Sequence, residues 1–247
     1  MITLETLPLP TSPSLVPGGV QPVSFRLKRG ETLWVTGPAE SGKTALLETI
    51  ALRRPVTGGA MTLLDQDAGP RITSRARRLL QQRIGYIDAT PLFMDRLTLA
   101  DNIALPLELH HVRKADIRRE TEAILQWFML ESHARSYPAT LSQTIRLRAA
   151  CARALISQPS IILVDEAALT LCPVLRERLL STIQGMAQNG ATTLLATQTL
   201  PKEAPLEGEV LTLPQHKPSP EIMDPSTSKE GMAMPQILAT RDERLLP

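Results

Sequence analysis

Apolar and polar positions along this chain repeat with two periods, and the switches between them mark its elements. "TLWVTG" (32–37) is an apolar β-type run that ends on glycine. "KTALLETIALRR" (43–54) then sets Leu46, Leu47 and Ile50 at helical spacing, and Pro55 is expected to stop that helix. Residues 1–31 read as short strands broken by turns, with "VPGG" (17–20) the clearest turn signal. "SRARRLLQQ" (74–82) predicts a short basic helix and "RIGYI" (83–87) a strand. From Thr90 to Arg135 the pattern is helical, with Ile117, Thr121, Ile124, Leu125 and Phe128 along one stripe. "TIRLRAACARAL" (144–155) predicts another helix, and "SIILVDE" (160–166) a buried strand that ends in two acids. "VLRERLLSTIQGMAQ" (174–188) is an amphipathic helix with Gly190 just past its end, and "ATTLLATQ" (191–198) is a last buried strand. Strands alternating with helices predict an α/β fold built on a parallel sheet.

Past residue 213 the character changes. "PQHKPSPEIMDPSTSKEGMAMPQ" (214–236) is rich in Pro and Ser, lacks aromatics and has no steady period. Residues 214–247 are therefore expected to form a flexible or partner-docked tail.

Composition narrows the function classes. A chain of 247 residues can bury one sizeable core with an accessory subdomain. A formal net charge of +2 does not favour a nucleic-acid surface, and "RARR" (75–78) reads as a solvated helix face. The two cysteines, Cys151 and Cys172, have no ligand-like spacing; both are expected in the core of a reduced, cytosolic protein. "MITLETLPLP" lacks the basic start and apolar centre of a signal peptide. No apolar run approaches the ~20 residues that span a bilayer, so a membrane role requires a partner.

The chemistry concentrates in two places. "GPAESGKT" (37–44) matches G-x-x-x-x-G-K-[ST] in full, between a strand and a helix. Gly37 and Gly42 permit the tight loop, and the backbone N–H groups of Pro38-Ala39-Glu40-Ser41-Gly42 beyond the proline, with those opening the helix through Ala45, face phosphate oxygens. Lys43 is the point charge for the β- and γ-phosphates, and the Thr44 hydroxyl a ligand for Mg²⁺. "IILVDE" brings Asp165 to a strand end, where its carboxylate can join the Mg²⁺ shell, with Glu166 placed to polarise a water. The pattern predicts a nucleotide's phosphates with Mg²⁺, and the resemblance described next implies that the nucleotide is ATP.

In this order of motifs the chain resembles an ATP-binding-cassette (ABC) ATPase from Met1 to about Leu213. The resemblance implies a P-loop NTPase core of RecA-like type over 1–89 and 151–213, with an inserted helical subdomain over 90–150. Within the superfamily "MDRLTLADNIALPLEL" (94–109), "DIRRETEAILQWFML" (116–130) and "YPATLS" (137–142) resemble the FtsE and LolD branch, while "RLRAACARALISQP" (146–159) is also similar to ATPases of MCE-type lipid transporters. It further implies a permease-like membrane partner of the FtsX kind, a second ATP-binding subunit, and a place on the inner face of the cell membrane.

Several positions depart from the family pattern. Family members read L-S-G-G-Q at the head of the signature helix, whose backbone grips the γ-phosphate held by the opposite subunit. Here Leu141 and Ser142 are followed by Gln143, Thr144 and Ile145, and their side chains crowd an approach that glycine permits. The glutamine expected after "IGYI" aligns with Ala89, next to Asp88; the proline after the acidic pair is Ala167; the D-loop aspartate falls on Cys172. The switch histidine is Gln198, which cannot take up a proton as imidazole does. No aromatic residue precedes Phe25 to stack on adenine. Together these imply a degenerate subunit that binds ATP–Mg²⁺ and hydrolyses it slowly or not at all. An active ATPase in a homodimer or beside an intact sister subunit, exporting lipoprotein or lipid, is the alternative; a P-loop kinase or unrelated NTPase is disfavoured by the signature-helix frame.

Overall fold

In the computed structural model, residues 1–9, 22–200 and 206–214 are described. The "VPGG" turn and the 214–247 tail, apart from Pro214, lie outside them. The chain order is β1 (Ile2–Pro8), β2 (Pro22–Leu27), β3 (Thr32–Thr36), α1 (Lys43–Ile50), β4 (Ala60–Leu63), β5 (Gln66–Asp67), α2 (Ser74–Gln81) and β6 (Ile84–Ile87). There follow α3 (Leu99–Leu109), α4 (Lys114–Trp127), α5 (Gln143–Leu155), β7 (Ile161–Val164), α6 (Pro173–Gln188), β8 (Thr192–Thr197) and β9 (Glu209–Thr212).

Five strands form a parallel sheet in the order β6-β7-β8-β3-β9, with the buried apolar runs of β7, β8 and β3 at its centre. Side chains on these strands alternate between two cores. Trp34, Ile162, Val164 and Leu195 point into one with α3, α4, α5 and α6. Leu33, Val35, Ile161, Leu163, Leu194 and Ala196 point into the other, where Leu46, Leu47 and Ile50 of α1 meet a second sheet. That second sheet is antiparallel, β2-β1-β4-β5, and is a layer the parallel-sheet reading did not contain.

Helix α1 ends at Ile50, before Pro55, so the proline is not its stop. Leu52 takes a positive φ of 57°, and the Arg53 N–H turns back to the Glu48 carbonyl. The helical region begins at Leu99 and not at Thr90: Thr98 caps α3 in a reciprocal capping box with Asp101. The stripe holds: Thr121 and Leu125 of α4 and Phe128 at its C-cap are buried, and Ile117 and Ile124 are partly so. α5 runs unbroken from Gln143 to Leu155. Cys151 is buried in the core, whereas Cys172 is exposed; its place ahead of Pro173, the first residue of α6, puts it at a solvent-facing helix entry.

Candidate functional site

The site forms at the carboxyl ends of β3, β6, β7 and β8, the edge where open parallel sheets collect ligands. β3 delivers the loop 37–42. Gly37 has φ 152°, and a Cβ there would stand 2.6 Å from the Leu213 carbonyl oxygen and 2.7 Å from Ser41 Oγ. Gly42, at φ 92°, turns the chain into α1 in a left-handed conformation that a side chain would strain. α1 has no side-chain cap, so its first N–H groups remain directed at the loop.

Lys43 is 7% exposed and folds back over this loop. Its Nζ donates to the carbonyl oxygens of Gly37 (2.6 Å) and Pro38 (2.7 Å). Burial lowers its pKa, and the nearby Glu166 and Asp165 carboxylates oppose that shift. The ammonium is thus held by neutral acceptors that an anionic ligand can replace.

The two metal-binding candidates meet. Thr44 Oγ1 donates to Asp165 Oδ2 at 3.1 Å, across 121 residues of sequence. The other carboxylate oxygen accepts the Glu166 N–H at 2.8 Å. Asp165 is 4% exposed; burial raises its pKa, and the hydrogen bonds from the Glu166 N–H and Thr44 hydroxyl counter it. Among the described residues no three His, Cys, Asp or Glu side chains converge as a metal cage. One hydroxyl and one carboxylate are hard oxygen donors, the set that suits Mg²⁺ completed by phosphates and water. These residues fit the ion.

Glu166 and Gln198 are also brought together: the Gln198 backbone N–H donates to Glu166 Oε1 at 3.2 Å. An open cavity of about 820 Å³ is lined by Thr44, Asp165, Glu166 and Gln198, together with Glu48, Asp88 and Ala89. Pro38, Ala39 and Glu40 are exposed on the loop, while Ser41 and Ala45 are buried. The signature positions stand apart from this cavity's wall. Ser142 caps α5 by accepting the Ile145 N–H at 3.4 Å, and Gln143 and Thr144 are exposed at its tip.

Arg53 is the site residue that sequence reading missed. Its guanidinium pairs with Asp88 Oδ2 at 2.6 Å and lies 4.4 Å from the Tyr86 ring centroid. No motif marks it, because the link runs from the turn after α1 to the end of β6.

Comparison with known proteins agrees with this geometry. A family model described as ABC transporter matches residues 20–169. The methionine import ATP-binding protein MetN of Bifidobacterium longum is 34% identical over 199 residues, which cover 78% of this chain and 48% of that protein. Its namesake from Xanthomonas campestris is 33% identical over 185 residues, 73% of this chain and 54% of that one. The chain thus spans about half the length of the curated relatives it matches. A dimeric post-hydrolysis structure of the ATP-binding cassette MJ0796 with ADP and phosphate superposes with a TM-score of 0.76, at 22% identity over 86% of this chain and 94% of that one. An ATP-binding subunit of an ABC transporter gives a TM-score of 0.75 at 22% identity, over 86% of this chain and 85% of that one. With a P-loop NTPase fold, a phosphate loop joined to an acidic strand end, and a matching family model over 20–169, the chain belongs to the ABC transporter family.

Proposed function

We propose that the chain is the ATP-binding subunit of a membrane transporter, binding ATP with Mg²⁺ through Gly37–Thr44 and Asp165 and hydrolysing it slowly or not at all. The Thr44–Asp165 hydrogen bond carries the binding half of this reading, because it sets the two magnesium donors side by side next to the phosphate loop. The slow-hydrolysis half rests on Glu166. Gln198 offers it a backbone N–H and no imidazole, and the neighbouring wall residue Ala89 has no polar side chain. Among the described residues no helix is long and apolar enough to cross a membrane, so attachment falls to a permease-like partner on the inner face of the cell membrane. The subdomain at 90–150 is the proposed docking element, and a second ATP-binding subunit faces the tip of α5. The relatives are named for methionine import, which favours an importer over the cell-division and lipoprotein-release branches and leaves the FtsX-like partner without support.

The test has two parts. Lys43→Ala should abolish binding of a fluorescent ATP analogue, since it removes the charge facing the β/γ-phosphates; equal binding by mutant and wild type would overturn the reading. Steady-state phosphate release should sit near background, because each missing preorganised donor is worth about 10²–10³ in rate. A turnover of roughly 1 s⁻¹ or more that vanishes in Glu166→Gln would show a competent hydrolase instead.

A further inference from the structure

We propose that Asp88 is a positioning residue for the metal at the Thr44–Asp165 centre, acting through a water and held in place by Arg53; this rests on the ATP–Mg²⁺ reading above. Asp88 lines the same cavity as Thr44, Asp165, Glu166 and Gln198. Its carboxylate is fixed from behind by two donors: Arg53 Nη1 reaches Oδ2 at 2.6 Å, and the Thr90 N–H reaches Oδ1 at 3.0 Å. Arg53 is itself constrained, with its guanidinium stacked over Tyr86 at 4.4 Å. Each carboxylate oxygen keeps a second lone pair, and the side chain is only partly covered, 24% exposed, on the cavity wall. Among the described residues no three His, Cys, Asp or Glu side chains converge here as a metal cage. Asp88 therefore acts on the hydration shell, where Mg²⁺ keeps most of its ligands.

The pairing with Arg53 gives this role its own signature. A simple surface ion pair would neutralise a charge and do nothing more; a positioning carboxylate loses its effect when either its oxygens or its anchor are removed.

The experiment uses the full chain, Mn²⁺ as the metal and a non-hydrolysable ATP analogue, with bound Mn²⁺ followed by electron paramagnetic resonance. Removal of a supporting partner of this kind typically lowers metal affinity about 10–100-fold. Asp88→Ala should weaken Mn²⁺ binding by about 10-fold or more, and Asp88→Asn, which keeps an acceptor oxygen, should fall between. Thermal melting of each variant checks that it folds. The double variant Arg53→Met/Asp88→Ala removes the cation that the single variant leaves unpaired. If it regains wild-type Mn²⁺ affinity, the single loss came from an exposed guanidinium, and the proposal is wrong. Unchanged affinity in Asp88→Ala would also overturn it. If the wild type binds neither Mn²⁺ nor analogue, the ATP–Mg²⁺ reading itself fails and this inference with it.

Discussion

Asp165 concentrates the conflict between stability and function in one side chain. It is buried with its charge facing Glu166 and Asp88, and its pKa is raised, with burial the leading cause. A carboxylate whose folded pKa lies above its unfolded value is penalised in the fold when ionised; the penalty is full above the folded pKa and vanishes below the unfolded one. Asp165→Asn keeps an acceptor for the Glu166 N–H and a polar partner for Thr44 while deleting the charge. The nucleotide-free variant should therefore melt higher than wild type at neutral pH, by about 2–4 °C if ~1 kcal/mol is recovered. That gain should shrink as pH falls through the carboxylate range. Calorimetry across pH checks it, and a lower melting temperature at neutral pH would refute it. The sequence singled out Thr44 by the loop motif and Asp165 by its place at an apolar strand end, and the structure brings these two side chains into contact. Cys172 was not legible in this way, since small apolar character alone cannot distinguish a core position from an exposed helix entry.

At the scale of elements, the loop between β6 and α3 is held by side chains from two helices. Asn102 of α3 is wholly buried; its Oδ1 accepts the Met94 N–H at 2.8 Å, and its Nδ2 donates to the carbonyls of Met94, Leu97 and Thr98. From α5, Arg146 donates to the Pro91 carbonyl and Arg153 to the Leu92 carbonyl. Arg153 also lies 4.5 Å from the Phe93 ring centroid. Burial, reinforced by the charge of Arg53, lowers the Arg153 pKa to about 10, which leaves it a cation at neutral pH. Asn102→Ala should cost about 1–3 kcal/mol, because it strands buried backbone groups. Urea unfolding measures it, and a loss under ~0.5 kcal/mol, the range of ordinary surface changes, would count against the stapling role. The helices were readable from their periodic stripes, whereas the β4–β5 hairpin was not. Its two-residue turn is Leu64-Asp65, at φ 50° and 65°, where such a turn ordinarily advertises itself with Asn-Gly.

Over the whole molecule, one parallel sheet separates two cores, and this was legible because strands buried on both faces read as unbroken apolar runs. The antiparallel layer was harder to see, since β1 and β2 are separated in sequence from the β4–β5 hairpin by β3 and α1. β9 escaped notice for a related reason: three of its four residues are exposed, so "EVLT" lacks the apolar signal of its neighbours. Its pairing with β3 is reinforced by Trp34, whose buried indole donates to the Leu206 carbonyl at 3.1 Å. The chain has two tryptophans, and Trp127 is 46% exposed with an arginine over its ring. The intrinsic fluorescence should therefore contain a blue-shifted component from Trp34 and a red-shifted one from Trp127. Trp127→Phe should leave a single blue emission that iodide hardly quenches; strong quenching in that variant would mean that the indole of Trp34 is open to water. The strand that leads into the phosphate loop thereby carries an optical probe, one that reports without any label whether the chain around Leu206 is seated.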